Sequence, residues 1–469
     1  MIDFIVYIET MSSKLRKIRS KIFISFYGFV SISVLYFAAF LFIENGKSLV
    51  RIQNNSSNEA LSEFTTRFYN SLKYSDNNKG LFNLNKEHIS SAWHNIDKST
   101  ISLKNYLYHY SKDKDYSELP GGYIDIINDE IIIGSNGKGE MFLFNVKKKS
   151  AHKLNSNLSE IFASQNYKRK VIKNLRGRFG VRDIYLDRKY DRVLASMVVD
   201  VNGQGCYGMA IYESKIILNP SFDKSKRLNF TELFKTNSCN SDFGGHALGG
   251  RINRLNNKIL FTVGDLDHNL DGDIRIAQSK KNAIGKVISI DNDGSFKVIS
   301  MGHRNQQGMV IFNGKVIITE HGPRGGDEIN LISDGKHYGW PYYSYGIGYD
   351  FHAKHRVKHT NKYKKPIFYF TPSIAISEII HYKGNEFPYW KDKLIVSSLK
   401  AKSLFLLDID PLTMNILSVE RIYVGHRIRD IKEMPSGSIV FITDDQNIVF
   451  LNKSLKSLIL DESKIPFIK

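Results

Sequence analysis

From residue 121 onward the hydrophobic positions fall in short runs bounded by Gly, Asn and Asp, without a long amphipathic helical pattern. One unit recurs along this stretch: a polar residue is followed by three or four apolar residues that end near Ser, Thr or Gly. Its six copies recur at intervals of 45 to 78 residues and begin at Glu130, Arg192, Lys258, Lys315, Lys393 and Ser438. Short apolar runs between turn residues predict β-strands.

Each copy is preceded by another apolar run and a turn, so the pattern predicts hairpins. The clearest turn is Asn313-Gly314, because both positions of this dipeptide accept positive φ. Six hairpins at this spacing are typical of the four-stranded blades of a β-propeller. A β-sandwich and an irregular β-solenoid are the alternatives. We therefore expect an all-β, six-bladed propeller over residues 119–469.

The N-terminal region carries a different pattern, a run of 22 residues without a charge at positions 22–43. As a helix this run would cross the ~30 Å hydrocarbon core of a bilayer. Basic residues cluster just before it, so the positive-inside rule places residues 1–21 in the cytoplasm as a basic tail. A cleaved signal peptide is the alternative, but no convincing small-x-small site follows. The pattern predicts a single-pass signal anchor, a stalk and N-terminal cap at 44–118, and a periplasmic or extracellular C-terminal domain.

Charge and cysteine content narrow the function classes. The net charge of +19 reflects Lys and Arg spread along the chain, without a compact basic patch or a nucleic-acid motif. We therefore expect a solvated basic surface and no nucleic-acid partner. Two cysteines, Cys206 and Cys239, are too few for a cysteine zinc site. They could form one disulfide at a blade boundary if the domain is exported, or remain buried free thiols.

The unusual polar residues lie where the predicted hairpins are entered and left. The two ends of a hairpin lie together, so polar residues from four blades should converge at one mouth of the central channel. These segments are 246–251 and 263–265, 302–305 and 320–323, Lys400, and 425–430. Each has a structural explanation on its own, such as capping carbonyls or pairing with a nearby Asp. Their concentration on loops of a rigid scaffold indicates a functional site.

Several of these segments match a known pattern. The most specific are GHRNQQG at 302–308, EHGPRGGDEIN at 320–330 and HYGWP at 337–341. Weaker matches are GGRI at 249–252 with VGD at 263–265, and SSLK at 397–400 with RIR at 427–429. Over residues 121–447 the chain thereby resembles the glucose/sorbosone dehydrogenase family, the soluble PQQ-dependent aldose sugar dehydrogenases.

This resemblance implies a six-bladed propeller with PQQ over the channel mouth and oxidation of an aldose sugar or polyol at a C–OH group. His246 would remove the hydroxyl proton while hydride passes to the quinone, and Asp265 would orient that imidazole. Arg304 would stabilise charge on the quinone oxygen, and Asn305 would hold the cofactor edge. The spacing from His246 to Arg251 is one residue longer than the family pattern, so the imidazole could be displaced. If His246 points to solvent, His321 at the end of the neighbouring hairpin is the replacement candidate for the base.

The resemblance also implies the cofactor contacts. Lys400, Arg427 and Arg429 would bind the PQQ carboxylates. Arg178 stands where a cofactor-contacting Gln is expected, and could reach a carboxylate or reshape the pocket. The backbone carbonyls of Gly322 and Pro323 would bind Ca²⁺, a cation that prefers oxygen ligands and would act as a Lewis acid; Asp327 would brace this loop.

Two other functions compete with this interpretation. One is a non-catalytic extracellular propeller that binds a carbohydrate or protein ligand; the presence of Arg304, Lys400, Arg427 and Arg429 favours the enzyme. The other is a hydrolase with a metal-bound water, for which the necessary acidic and His ligands do not converge. The sequence does not specify the sugar or the electron acceptor.

Overall fold

The computed structural model describes residues 87–92, 94–103, 122–165, 167, 180–217, 227–241, 243–268, 276–347 and 362–454. The predicted anchor at 22–43 and the candidate Arg178 lie outside these residues. Among the helices of the described residues, none has the length and apolar character needed to cross a membrane.

The described strands form six sheets, which confirms the predicted all-β six-bladed propeller. Two strands, β1 (Glu87–Ser90) and β2 (Asn95–Ser102), precede the first blade. The first blade contains β3 (Tyr123–Ile126), β4 (Ile131–Ser135), β5 (Met141–Asn145) and β6 (Ser150–Leu154). A short helix, α1 (Leu158–Ser164), leads to the second blade. That blade contains β7 (Val181–Asp187), β8 (Arg192–Asp200), β9 (Tyr207–Lys215) and β10 (Thr231–Lys235).

The third and fourth blades are interleaved in sequence. The third contains β11 (Gly249–Leu255), β12 (Lys258–Val263), β13 (Lys286–Ile290), β14 (Phe296–Met301) and the short β18 (Lys336–His337). The fourth contains β15 (Gln306–Phe312), β16 (Lys315–Glu320), β17 (Asp327–Leu331) and β19 (Phe368–Phe370). Strand β18 pairs with β14 in parallel, whereas the other pairs in both blades are antiparallel. A 3₁₀ turn, Ile276–Gln278, lies between β12 and β13.

The last two blades complete the ring. The fifth contains β20 (Ile376–His381), β21 (Leu394–Ser398), β22 (Ser403–Ile409) and β23 (Ile416–Tyr423), with a 3₁₀ turn at Pro388–Trp390. The sixth contains β24 (Ile428–Glu433), β25 (Ile439–Thr443) and β26 (Asn447–Lys453). The six repeat copies of the sequence lie in or directly before β4, β8, β12, β16, β21 and β25, the second strand of each blade.

The sixth blade joins the two ends of the described chain. Strand β2 pairs with β26 from Ile96↔Lys453 to Ser102↔Asn447, and β1 pairs with β2. The innermost strands contact one another in the order β3, β7, β11, β15, β20, β24 and again β3. The predicted domain boundary at 119 was therefore wrong: residues 87–102, assigned to a stalk and cap, form the outer strands of the last blade.

The apolar residues pack between neighbouring blades rather than in one central core. One cluster joins the first and second blades through residues such as Ile133, Ile184 and Val193. Another joins the fifth and sixth through Trp390, Ile395 and Phe441. Strands with both faces covered by a neighbouring blade read as continuous apolar runs, as in β25, which is buried at every residue. This burial explains why the repeat showed runs instead of strict alternation.

Cys206 and Cys239 form a disulfide with a Cα–Cα distance of 5.3 Å, which decides between the two alternatives that the sequence left open. Cys206 directly precedes β9 and Cys239 follows β10, the two outer strands of the second blade. The backbone of Tyr207 and Asn240 pairs beside the bridge. The sequence suggested a bridge at a blade boundary. The disulfide instead lies within one blade.

Replacing both cysteines tests the contribution of this bridge to stability. It closes a loop with a sequence separation of 33 residues. Loop-closure entropy then predicts that the double variant C206S/C239S loses about 3–4 kcal/mol of unfolding free energy. Denaturant titration should show this loss, and a reducing agent should lower the stability of the wild type but not of the variant. Equal stability of the two proteins under oxidising conditions would contradict the expectation.

Candidate active site

At one end of the ring of blades, the innermost strand of each blade begins and the second strand of each blade ends. In the third blade Gly249 pairs with Val263, and in the sixth Ile428 pairs with Thr443. We call this end the mouth, defined by the residues that begin β3, β7, β11, β15, β20 and β24 and those that follow β4, β8, β12, β16, β21 and β25. The predicted site segments lie here, as the hairpin geometry required.

Five of the six innermost strands have a register shift close to the mouth. The shifts lie between Val181 and Asp183 in β7 and between Ile428 and Asp430 in β24, with others at the start of β11, β15 and β20. A bulge inserts an extra residue and bends the strand. It thereby redirects side chains at the mouth, including Arg182 and Arg429.

The predicted pair of His246 and Asp265 is not the one that forms. The backbone N–H of His246 donates to Asp267 Oδ2 at 2.9 Å, and its Nδ1 lies 3.3 Å from the same oxygen. The His246 side chain is 48% exposed, and that of Asp267 is 6% exposed. Asp267 has a positive φ of 63°, which turns its carboxylate back toward His246. Asp267 therefore takes the orienting position that the sequence assigned to Asp265.

Asp265 is buried behind this pair and faces Trp340 and Arg304. Its Oδ2 accepts a hydrogen bond from Trp340 Nε1, and its Oδ1 accepts one from the backbone N–H of Asp267 at 3.1 Å. Burial raises the pKa of Asp265 to about 7, although the positive charge of Arg304 lowers it. Asp265 thus supports Asp267 through the backbone and can hold a proton near neutral pH.

Arg304 lies at the start of the fourth blade and is 9% exposed. Its Nη1 donates to the carbonyls of His321 at 2.9 Å and Gly322 at 3.1 Å, and its guanidinium carbon lies 5.3 Å from the centre of the Trp340 ring. Its Nε is enclosed and has no acceptor within the part of the chain that the structure describes. This orphaned donor beside a solvent-facing mouth is suited to an anionic ligand.

Asn305 follows Arg304 and links two blades. Its Oδ1 accepts hydrogen bonds from Gly249 N–H at 3.2 Å and from Gln307 Nε2 at 2.6 Å. Its carbonyl accepts the backbone N–H of His321 at 2.8 Å. The contacts of Oδ1 hold the Asn305 side-chain amide in one orientation.

The loop after β16 is braced as predicted. Asp327 is fully buried and accepts hydrogen bonds from Gly322 N–H at 3.0 Å, Ser373 Oγ at 2.8 Å and Ile376 N–H at 3.1 Å. His321 Nδ1 donates to the Gly322 carbonyl at 2.7 Å and lies 3.5 Å from Asp327 Oδ1. The Gly322 carbonyl therefore accepts from both Arg304 and His321. No cluster of three or more His, Cys, Asp or Glu side chains within the described residues is arranged to bind a metal ion.

Cations from the fifth and sixth blades reach the same mouth. Arg429 binds Asp444 through two nitrogens, with Nε to Oδ1 at 2.9 Å and Nη2 to Oδ2 at 3.1 Å. Arg427 Nε donates to the same carboxylate at 3.1 Å and its side chain is 48% exposed. Lys400 follows β21 and is exposed. Arg427 and Arg429 thus share one carboxylate.

A buried cluster of polar side chains holds the backbone of Arg304 in place. His303 Nδ1 lies 2.8 Å from Glu320 Oε2, its Nε2 lies 2.8 Å from Ser300 Oγ, and its ring stacks on Tyr338. The other oxygen of Glu320 accepts the backbone N–H of Arg304. These contacts fix the backbone from which the Arg304 side chain projects.

Three residues at the mouth were not among the predicted site residues: Asp267, Trp340 and Arg182. Asp267 lies two residues after Asp265, so the sequence could have suggested either carboxylate. Trp340 was visible only as part of the 337–341 motif. The signal for Arg182 was a repeated four-residue pattern, VRDI at 181–184 and IRDI at 428–431.

Comparisons with known proteins agree with this fold and show the family. A family model described as Glucose / Sorbosone dehydrogenase matches residues 118–451. An uncharacterized protein of Synechocystis is 31% identical over 253 residues, which cover 48% of this chain and 60% of that protein. Aldose sugar dehydrogenase YliI of Escherichia coli is 29% identical over 292 residues, which cover 58% of this chain and 76% of that enzyme. The match thus spans less than two thirds of the Synechocystis relative.

Solved structures share the propeller. A glucose dehydrogenase crystal structure matches with a TM-score of 0.62 at 22% identity. The match covers 72% of this chain and 97% of the glucose dehydrogenase chain. The PQQ-bound aldose sugar dehydrogenase of Streptomyces coelicolor matches with a TM-score of 0.53 at 17% identity. That match covers 76% of this chain and 98% of the Streptomyces chain. Because the family model covers most of the chain, this protein belongs to the glucose/sorbosone dehydrogenase family.

Proposed function

We propose that this protein is a PQQ-dependent dehydrogenase that oxidises an aldose sugar or a polyol at a C–OH group. The observation that carries the proposal is the convergence of cations from three blades on one mouth, where Arg304 Nε is enclosed and has no acceptor among the described residues. Lys400, Arg427 and Arg429 supply the other cations. Family membership and the sugar dehydrogenases among the similar proteins support the same reaction class.

The donor set fits PQQ, which is flat and carries several carboxylates. Arginine binds carboxylates with two parallel hydrogen bonds and lysine acts as a point charge. Arg427 and Arg429 already share Asp444, so together they retain positive charge for a ligand. The amide NH₂ of Asn305 is a further, neutral donor, because the amide oxygen is already held by Gly249 N–H and Gln307 Nε2. Arg178, outside the described residues, remains a further predicted contact.

PQQ, when bound, supplies the two-electron oxidant that takes the hydride from the sugar carbon. His246 is placed to accept the hydroxyl proton, because its ring is half exposed and its Nδ1 faces Asp267. This arrangement leaves Nε2 directed away from the carboxylate and open to a substrate. Asp267, rather than Asp265, then orients the imidazole.

Arg304 would stabilise negative charge that develops beside it during hydride transfer. Its guanidinium is held by two carbonyls and by the Trp340 ring, so little reorganisation is needed. Preorganised donors in an enclosed site stabilise such charge more strongly than water does. Asp265 counterbalances Arg304 from the protein side.

The predicted Ca²⁺ does not fit the loop as it is arranged. A cation at the Gly322 carbonyl would take the positions that Arg304 Nη1 and His321 Nδ1 now occupy. We therefore assign no step to Ca²⁺, and comparison of PQQ binding with and without a chelator tests whether the ion is needed.

We also propose that the propeller is exported and attached to a membrane by residues 22–43. The apolar run with its basic flank motivates this location. The disulfide between Cys206 and Cys239 supports it, because such bonds persist mainly in oxidising compartments.

Reconstitution tests the proposed function directly. The purified protein, incubated with PQQ, should reduce a redox dye in the presence of an aldose or a polyol. H246A should lower turnover by at least about 100-fold, the usual contribution of a general base, while PQQ binding remains. R304A should impair both turnover and binding. D267N should lower turnover without loss of binding, since only the orientation of His246 changes.

The exposed variant D334N is the matched control, because Asp334 pairs with Lys297 on the surface. It should retain wild-type turnover. Failure of the wild type to bind PQQ would favour the non-catalytic binding propeller. Normal turnover in H246A together with strong loss in H321A would instead transfer the base to His321.

The raised pKa of Asp265 predicts a pH effect on stability. The folded state keeps the proton up to about pH 7, whereas an unfolded Asp releases it near its usual pKa of 3.8. Between these values the folded state binds more protons, so this group lowers stability as pH rises, by up to about 1.4 kcal/mol per pH unit. D265N should remove this contribution. Denaturant titrations from pH 4 to 8 should show a flatter decline in the variant, and parallel curves would refute the assignment.

A further inference from the structure

Two arginines occupy the same structural position in different blades. Arg182 lies in the register shift between Val181 and Asp183 in β7, as Arg429 lies between Ile428 and Asp430 in β24. The aspartate that follows each arginine accepts a backbone N–H from the neighbouring blade: Asp183 from Ile252 at 2.8 Å, and Asp430 from Ile124 at 2.9 Å. The two bulges therefore present their arginines to the mouth in equivalent settings.

The two arginines differ in their partners. In the sixth blade Thr443 faces Ile428, and the next residue is Asp444, which binds Arg429 through two nitrogens. In the second blade Met197 faces Val181, and the next residue is Val198. The position that supplies a counter-ion to Arg429 is therefore apolar beside Arg182.

Arg182 is a nearly buried cation without a carboxylate of its own. Only 6% of the residue is exposed, and its Nε is enclosed with no acceptor. Among the described residues no side chain or carbonyl accepts a hydrogen bond from its guanidinium, which lies 5.8 Å from the centre of the Tyr123 ring. Burial lowers the pKa of Arg182, and the charges of Arg429 and Arg251 lower it further, whereas Tyr123 and Asp444 raise it. An arginine remains charged in such a setting, so the unpaired cation is costly without an anion.

The fold makes room for this cation. Gly250, at the bulge of the third blade, has a φ of 107°, and a Cβ there would lie 2.5 Å from Arg182 Cβ. The nearby carboxylate, Asp444, is already shared by Arg427 and Arg429. Asp444 attracts Arg182 electrostatically, but its hydrogen bonds within the described residues include those from Arg427 and Arg429 and none from Arg182.

We propose that Arg182 is an additional anion-binding residue of the mouth and that its guanidinium takes a carboxylate of the ligand bound there. This inference rests on the proposed function in so far as PQQ is the expected ligand. A carboxylate on the sugar itself is the other source of the same chemistry.

The test compares R182M, which removes the charge at similar volume, with R182K, which retains it. PQQ is titrated into the protein without cofactor and binding is followed by quenching of tryptophan fluorescence. R182M should weaken PQQ binding by about 10- to 100-fold, as expected for loss of a hydrogen-bonded charge pair. The dependence of the dissociation constant on NaCl should become shallower, while R182K should preserve most of that dependence. R227M, which removes a surface arginine paired with Glu160, is the matched control and should bind as the wild type does.

Thermal unfolding without ligand separates a ligand-binding role from a structural one. Because R182M removes an unpaired buried charge, its melting temperature should equal or exceed that of the wild type. A clear fall in melting temperature together with unchanged PQQ affinity would overturn the inference and leave the proposed function intact.

Two further experiments distinguish failure of the proposed function from failure of the proposal for Arg182. If the wild type does not bind PQQ, the proposed function fails, and pyridine-2,6-dicarboxylate is then the probe of Arg182. Stabilisation by this dianion in the wild type but not in R182M would still support the inference, and equal stabilisation would overturn it. With PQQ saturating, an R182M defect confined to a uronic acid, and absent for the neutral aldose, would place the bound carboxylate on the substrate.

Discussion

A ring of buried carboxylates joins the innermost strands, and the geometry of the mouth depends on it. Asp125 of the first blade accepts the N–H of Leu186 in the second at 2.7 Å, and Asp183 of the second accepts that of Ile252 in the third. Glu378 of the fifth accepts the N–H of Met309 in the fourth at 3.0 Å, and Asp430 of the sixth accepts that of Ile124 in the first. These bonds satisfy backbone donors on strands that have no sheet partner on their inner side. They also fix four of the six pairs of neighbouring blades relative to each other.

Two cations compensate the negative charge of this ring of carboxylates. Arg251 contacts Asp183 at 3.1 Å, Asp430 at 3.3 Å and Glu378 at 2.9 Å, and Lys432 lies 3.2 Å from Asp430. Burial raises the pKa of Asp183 to about 7 despite Arg251, and it raises the pKa of Glu378 as well. Arg251 also donates to the carbonyls of Gln307 at 2.6 Å and Arg429 at 3.0 Å, so the network extends to the backbone of the mouth. Binding groups placed on such strands need little ordering when a ligand arrives.

The bulges connect this network with chemistry. In two of the bulged innermost strands, one residue turns toward the mouth and the following one toward the neighbouring blade. In β24 the pair is Arg429 and Asp430, and in β7 it is Arg182 and Asp183. One position therefore stabilises the ring while its neighbour is available for a ligand. The same logic explains why a cation without a counter-ion can persist at Arg182, since the ring holds its backbone regardless.

The sequence by itself determined the second strands of all six blades, the family and the end of the propeller where the polar segments gather. These features follow from local pattern: an apolar run covered on both faces is readable residue by residue, and hairpin ends lie together by construction. The closure of the sixth blade by β1 and β2 was not readable, because β2 pairs with a strand some 350 residues away. The choice of Asp267 over Asp265 depended on a backbone turn with positive φ. The isolation of Arg182 depended on which residue faces it across a bulge, and such register is decided only when the strands pair in the folded ring.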